Sequence, residues 1–143
     1  MVLKYFLSGL VIYYLVSSLF FSNKMTIDVH SYTVDELAAW LDNRPLGASF
    51  IDVREPSELE EQGTIKGYDA NIPYFLTNTN PELFEKKFSA IDKDEQLVIS
   101  CRSGRRSLLA AQYTVSKLGF KNVYNVEGGI LKWIQKGYPV EKV

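Results

Sequence analysis

The pattern of apolar residues divides the chain into an N-terminal segment and a domain in which two patterns alternate. Residues 5–21 read YFLSGLVIYYLVSSLFF and carry no charge, and Lys4 and Lys24 flank them. Further along, short continuous apolar runs alternate with stretches in which apolar residues recur every three or four positions. We therefore predict two parts, an N-terminal segment at 1–24 and a domain at 25–143.

The apolar segment predicts a single-pass membrane anchor. Seventeen helical residues span about 26 Å, slightly less than a hydrocarbon core of about 30 Å, and flanking residues can snorkel to cover the difference. Lys4 and the amino terminus slightly favour an external or periplasmic domain. Two alternatives stay open. The segment is a cleaved secretory signal, with Val16 and Ser18 forming a weak cleavage site, or translation starts at Met25 and the domain is cytoplasmic.

The remaining pattern predicts alternating strands and helices. Thr33 and Glu36 have the spacing of a capping box, and Asn80 followed by Pro81 marks another helix start. The predicted helices are 33–43, a helix from Asn80 through Phe88, 105–118 and a short helix from Gly129 through Trp133, and the predicted strands are 48–54, a short strand within 63–73, 96–100 and 122–126. This alternation predicts an α/β domain with a central, mainly parallel sheet flanked by helices.

Composition excludes several classes of protein. Sixteen basic and seventeen acidic residues give a net charge of −1 with no basic tract, which argues against nucleic-acid binding. The only cysteine, Cys101, rules out an internal disulfide. The only histidine, His30, is expected in a linker, so most zinc sites lack their ligands. We predict neither a metal site nor a cofactor.

Cys101 lies between the strand predicted at 96–100 and the helix predicted at 105–118. In parallel sheets of this kind, ligands bind beyond the carboxyl ends of the strands. Backbone N–H groups around Ser103 and Gly104, together with the helix N-terminus, would place positive dipole ends around the sulfur. Because such donors stabilise a thiolate, the loop favours a nucleophilic cysteine.

Three arginines follow the cysteine within five positions, and they weigh against a purely structural role. A buried structural residue is the commonest fate of a lone cysteine. However, apolar burial would not need Arg102, Arg105 and Arg106 so close by. Arg102 and Arg105 taken individually are equally consistent with solvated surface.

Three segments in the same order resemble the rhodanese-type sulfurtransferase family. SCRSGRRS resembles its active-site loop Cys-x-x-Gly-x-Arg, with Cys101, Gly104 and Arg106 in the matching places. IDVREPSELEEQGTIKG resembles its Asp-Val-Arg…Glu…Gly-His-Ile-x-Gly segment, and NIP follows it. GFKNVYNVEGGILKWIQKGYPV resembles its closing segment. The resemblance covers about residues 30–141.

The second of these segments departs from the family pattern in two ways. Thr64 replaces the usual histidine, and the stretch GYDANIP is one residue longer than the common spacing. Because this segment is mainly structural, we expect a local change and retained activity.

The resemblance implies a rhodanese-like fold and sulfur transfer through a persulfide on Cys101. A small anionic donor, thiosulfate or a persulfide, gives sulfur to the thiolate, and a thiol or cyanide, or a protein acceptor, removes it. The implied anion-binding loop consists of Arg102, Ser103, Gly104, Arg105 and Arg106. The implied supporting residues are Asp52, Arg54, Glu58 and Ser107, the first three by pairing with the arginines of the loop.

Two other functions stay open. Rhodanese-like domains also serve as non-catalytic or regulatory binding modules, although these commonly lose the cysteine that this chain keeps. Related folds also include phosphatases and arsenate reductases, whose loop has the form Cys-x5-Arg. Here Arg106 gives Cys-x4-Arg and is followed by Ser107, a smaller ring that suits one sulfur atom, and a relay reductase would need a second cysteine.

Overall fold

The computed structural model describes residue 27, residues 29–74 and residues 80–143. The predicted membrane segment at 5–21 and the predicted domain boundary after residue 24 lie outside this part of the chain. Within the part that is described, no helix is both long enough and apolar enough to cross a membrane.

The described residues form a five-stranded sheet in which every pair of neighbouring strands is parallel. The strand order across the sheet is β1-β5-β4-β2-β3. The strands are β1 (His30–Tyr32), β2 (Ser49–Asp52), β3 (Ala70–Asn71), β4 (Gln96–Ser100) and β5 (Asn122–Val126). The predicted parallel α/β sheet is therefore confirmed.

The described part of the chain contains five helices, of which four connect successive strands and the fifth follows β5. They are α1 (Val34–Asp42), α2 (Pro56–Gln62), α3 (Pro81–Phe88), α4 (Arg105–Ser116) and α5 (Gly129–Gln135). The predicted capping box is present at α1, where the Thr33 hydroxyl accepts from the Glu36 N–H and the Thr33 N–H donates to the Glu36 carboxylate. Asn80 caps α3 as predicted, by accepting from the Leu83 N–H at 3.2 Å.

The expectation that His30 lies in a linker is wrong. His30 begins the edge strand β1, which pairs with β5 so that His30 lies opposite Tyr124. Tyr32 of the same strand stacks on the Tyr124 ring at a centroid distance of 4.4 Å. A strand of three residues is too short to show a recognisable pattern of apolar and polar positions in the sequence. It is stabilised by pairing with a strand far along the chain.

Side chains on both faces of the sheet are buried, which explains why its strands are nearly continuous in apolar residues. One face packs against α3 and α4, and the other packs against α1 and α5. The first cluster includes Ile51, Leu97, Ile99, Phe84, Phe88, Ala110 and Val123. The second cluster includes Leu37, Trp40, Phe50, Val98, Val126, Ile130 and Trp133.

The loop that follows β4 lies at the centre of the carboxyl edge, between β2 and β5. The start of α5 packs directly against this loop, because the Ile130 and Leu131 N–H groups donate to the Cys101 and Arg102 carbonyls at 3.0 and 3.1 Å. Gly129 has a φ of 55°, and a Cβ atom there would overlap both carbonyl oxygens. The closing segment of the chain thus fixes the cysteine loop through contacts that only glycine permits.

Candidate active site

The sulfur of Cys101 is enclosed at the carboxyl end of β4, where the residue is 1% exposed. The Gly104 N–H donates to Sγ at 3.1 Å, and the Ser107 hydroxyl lies 3.3 Å from the same atom. One backbone donor and one hydroxyl therefore contact the sulfur. Gly104 caps α4 and Ser107 lies in its first turn, so part of the predicted cradle is present.

Gly104 is needed at the tightest point of this turn. Its φ is 92°, in the left-handed region that side chains rarely adopt. A Cβ atom there would also lie 2.9 Å from the Gly128 nitrogen and 3.0 Å from the Val126 carbonyl oxygen. The glycine thus lets the loop approach the end of β5 closely while its own N–H points at the sulfur.

The contact between Ser107 and Asn125 was not expected from the sequence. The Ser107 hydroxyl lies 2.6 Å from Oδ1 of Asn125, and both residues are buried. Asn125 belongs to β5, on the side that faces α4. The only signal for this contact in the sequence is the polar residue Asn125 within a predicted strand. That signal does not identify the residue to which the side chain is hydrogen-bonded.

Glu58 and Arg106 form a two-pronged ion pair between α2 and the first turn of α4. Both guanidinium Nη atoms donate to the carboxylate, at 2.7 and 2.5 Å. The hydrogen bonds from Arg106 lower the pKa of Glu58, and burial opposes this only in part. The same hydrogen bonds raise the pKa of Arg106. The predicted pairing of Glu58 with a loop arginine is therefore confirmed.

Asp52 does not pair with an arginine of the loop, so that expectation is wrong. Its carboxylate accepts two hydrogen bonds from Nε and one from Nη2 of Arg54, whose side chain is completely buried. Arg54 also donates to the Gly63 and Glu58 carbonyls. The reason is local: residues two apart at the end of a strand point the same way, so Asp52 meets Arg54 first.

Arg102, Ser103 and Arg105 form the exposed rim of the loop. Neither Arg102 nor Arg105 makes an ion pair with any residue that the structure describes, whereas Arg106 is held by Glu58. The uncompensated positive charge of the loop therefore comes from the two rim arginines. The guanidinium of Arg106, which matches the family motif, is already occupied by a carboxylate.

Thr64, which replaces the family histidine, is buried and has a structural contact. Its N–H and carbonyl exchange hydrogen bonds with the backbone of Glu141, both at 2.8 Å. The residue before it, Gly63, supplies the carbonyl that accepts from Arg54. Thr64 thus fastens the last residues of the chain beside the buried ion pair.

The fold and the site define a class of protein, namely parallel α/β domains with a cysteine loop at the centre of the carboxyl edge of the sheet. Comparison with known protein families identifies the family. The sequence profile of the rhodanese-like domain matches residues 33–136. The chain belongs to the rhodanese-like domain family.

Named relatives agree with this assignment. Rhodanese-like domain-containing protein 17 of Arabidopsis thaliana is 34% identical over 100 residues, covering 66% of this chain and 64% of that protein, just under two thirds of its length. Thiosulfate sulfurtransferase 18 of the same plant is 32% identical over 99 residues, covering 66% and 72% of the two chains. The crystal structure of a rhodanese-related protein from Thermoplasma volcanium is 32% identical, with a TM-score of 0.60, covering 78% of this chain and 97% of that one.

The ion pair between Glu58 and Arg106 predicts a pH-dependent loss of stability. We expect Glu58→Gln to lower the free energy of unfolding near neutral pH by about 1–2 kcal/mol, because it removes hydrogen bonds between charged groups. The folded-state pKa of Glu58 lies below its usual value of 4.5. The stabilisation is therefore complete above that value and is lost as the pH falls through the lower folded-state pKa.

Urea denaturation of the wild type and of Glu58→Gln, from about pH 7 to about pH 3, measures this difference. The gap between the two proteins should close at the acid end. Glu60→Gln, at an exposed position of the same helix, serves as the control and should stay close to the wild type. A gap that is the same at every pH would contradict the assigned role of the carboxylate.

Proposed function

We propose that this protein is a sulfurtransferase that carries sulfane sulfur as a persulfide on Cys101. The observation that supports it most directly is the enclosure of Sγ by the Gly104 N–H and the Ser107 hydroxyl. Donors of this kind stabilise an anionic sulfur much as an oxyanion hole stabilises an oxygen. The names of several relatives as sulfurtransferases support the same reaction class.

The proposed reaction has two displacement steps. In the first, the Cys101 thiolate attacks the outer sulfur of thiosulfate, the sulfur–sulfur bond of the donor breaks, and sulfite leaves with the electron pair. The product is an anionic persulfide on Cys101. In the second, a thiolate or cyanide attacks the outer sulfur of that persulfide, and Cys101 leaves as the thiolate. Charge is conserved in both steps, and no cofactor takes part.

The enclosed sulfur also fits the persulfide itself. Its outer sulfur lies about 2 Å beyond Sγ, so persulfide formation moves the reactive atom away from the buried position. A protein persulfide or a low-molecular-weight persulfide would deliver sulfur to the same point.

Intact-mass spectrometry of the folded protein after incubation with thiosulfate tests this proposal. We expect a gain of one sulfur, about 32 Da, that cyanide reverses. Cys101→Ser should show no gain. A folded protein whose thiol can be alkylated, but which takes up sulfur neither from thiosulfate nor from a persulfide, would overturn the proposal in favour of a binding module.

We further propose that Arg102 and Arg105 attract the anionic donor. Both lie on the exposed rim, and neither is neutralised by a carboxylate among the described residues. Two exposed guanidinium groups together would contribute about tenfold to binding of a doubly charged sulfonate, an effect that salt screens.

The double variant Arg102→Gln/Arg105→Gln should therefore raise KM for thiosulfate by about tenfold and abolish most of its dependence on ionic strength. Steady-state assays at several salt concentrations measure both effects. Lys93→Gln/Lys117→Gln makes the same change in charge on exposed residues that lie before β4 and after α4, at the opposite edge of the sheet. Equal effects of the two double variants would show that only net charge matters.

We also propose that residues 5–21 anchor the protein in a membrane, with the domain on the external or periplasmic side. This segment of seventeen residues carries no charge and lies between Lys4 and Lys24, which supports the proposal. The full chain should stay in the membrane fraction after alkaline extraction, and a chain that begins at Met25 should not. A full chain found in the soluble fraction, or an N-terminus that has been cleaved, would contradict the anchor.

A further inference from the structure

The Ser107 hydroxyl faces two acceptors but carries one proton. The residue is fully buried, with Oγ 2.6 Å from Oδ1 of Asn125 and 3.3 Å from Sγ of Cys101. A hydroxyl can donate to only one acceptor at a time, and its two lone pairs accept from others. Which partner receives the proton decides whether Ser107 acts on the sulfur as a donor or as an acceptor.

The distances favour donation to Asn125. An oxygen–oxygen separation of 2.6 Å is at the short end for a hydroxyl hydrogen bond, and sulfur is the weaker acceptor. With the proton on that side, Oγ presents lone pairs to Cys101, which suits a thiol S–H. An anionic sulfur requires the opposite arrangement, with the proton turned towards Sγ.

The position of Asn125 in the sheet gives no other reason for a polar side chain. It lies in β5 on the same face as Val123, which belongs to the apolar cluster beneath α3 and α4. Asn125 is 4% exposed, and burial of an amide costs free energy unless it is hydrogen-bonded. Its oxygen meets the one hydroxyl that also contacts the reactive sulfur.

We propose that Asn125 is a positioning residue that competes with the Cys101 sulfur for the Ser107 proton. In the thiol form the amide holds the proton, and when the sulfur becomes anionic the hydroxyl turns to it. Asn125 thus sets how readily Cys101 ionises through the hydroxyl of Ser107. This proposal deepens the proposed function, because a sulfur carrier depends on the stability of its anionic sulfur.

The competition predicts effects of opposite sign. Asn125→Leu, a change of similar size, removes the amide and leaves the Ser107 proton free for the sulfur, so it should favour the thiolate. Ser107→Ala removes the donor and should disfavour the thiolate. In a chain that already carries Ser107→Ala, Asn125→Leu should have no further effect, because no proton remains to be redirected.

The rate of iodoacetamide alkylation as a function of pH tests this directly, because Cys101 is the only thiol of the chain. We expect the midpoint of the alkylation rate against pH to fall by about 0.5–1 pH unit in Asn125→Leu and to rise by a similar amount in Ser107→Ala. A shift of one unit corresponds to a tenfold change in the thiolate fraction below the midpoint. Asn122→Leu, the same substitution at the start of β5, is the control and should leave the midpoint in place.

A rise in the midpoint of Asn125→Leu, no shift, or a downward shift that persists without the Ser107 hydroxyl would overturn the proposal. Asn125→Asp provides a second test should the leucine variant fail to fold. Its carboxylate should hold the proton more strongly and add a negative charge, so the midpoint should rise.

The alkylation readout does not depend on sulfur transfer. Suppose that the protein takes up no sulfur, but the midpoint falls in Asn125→Leu and rises in Ser107→Ala. The proposed function would then be refuted, and the role of Asn125 would be retained. If the protein forms the persulfide but neither variant shifts the midpoint, the proposed function would be retained and the role of Asn125 would be refuted.

Discussion

The guanidinium of Arg54 is completely buried, and a buried cation must have its charge balanced and its N–H groups satisfied. The carboxylate of Asp52 and the carbonyls of Glu58 and Gly63 do this between them. Because breaking a buried ion pair costs about 3–5 kcal/mol, the chain from the end of β2 to the end of α2 has little freedom to move. The first turn of α2 is therefore fixed in place, and it presents the Glu58 carboxylate to the cysteine loop.

The cysteine loop is held from two sides by interactions of different kinds. On one side, Glu58 binds Arg106 at the first turn of α4. On the other, α5 donates two backbone hydrogen bonds to the carbonyls of Cys101 and Arg102. Asp52 and Glu58 thus bind Arg54 and Arg106, whereas Arg102 and Arg105 at the rim have no carboxylate partner among the described residues.

Much of this arrangement could be predicted from the sequence where the signal is local. The strand at 96–100 is a continuous apolar run because both its faces are covered, and the capping residues of α1 and α3 act within one turn. The cysteine loop was predicted from its order of residue types. The partners of Asp52 and Asn125 were not, because side-chain pairing in a sheet depends on register and on which strands are neighbours.

The edge strand β1 shows the same limit at the level of topology. Its three residues form no pattern of their own, and their order depends on pairing with β5, more than ninety positions further along the chain. Composition and periodicity describe a segment, whereas strand order is a property of the whole chain. The sequence analysis located the three central strands and also the edge strand β3, which lies within the predicted stretch 63–73, but it did not locate β1.

The contact between α5 and the cysteine loop has a consequence for the order in which the site is made. A ribosome releases β4 and its thiol before β5 and α5, and the hydrogen bonds from Ile130 and Leu131 to the loop form only after both have emerged. Until then, Cys101 lacks the strand that contributes Asn125 and the helix that closes over its carbonyl. The enclosure of Cys101 is thus completed only after β5 and α5 have emerged, and from that point burial of the thiol limits its oxidation.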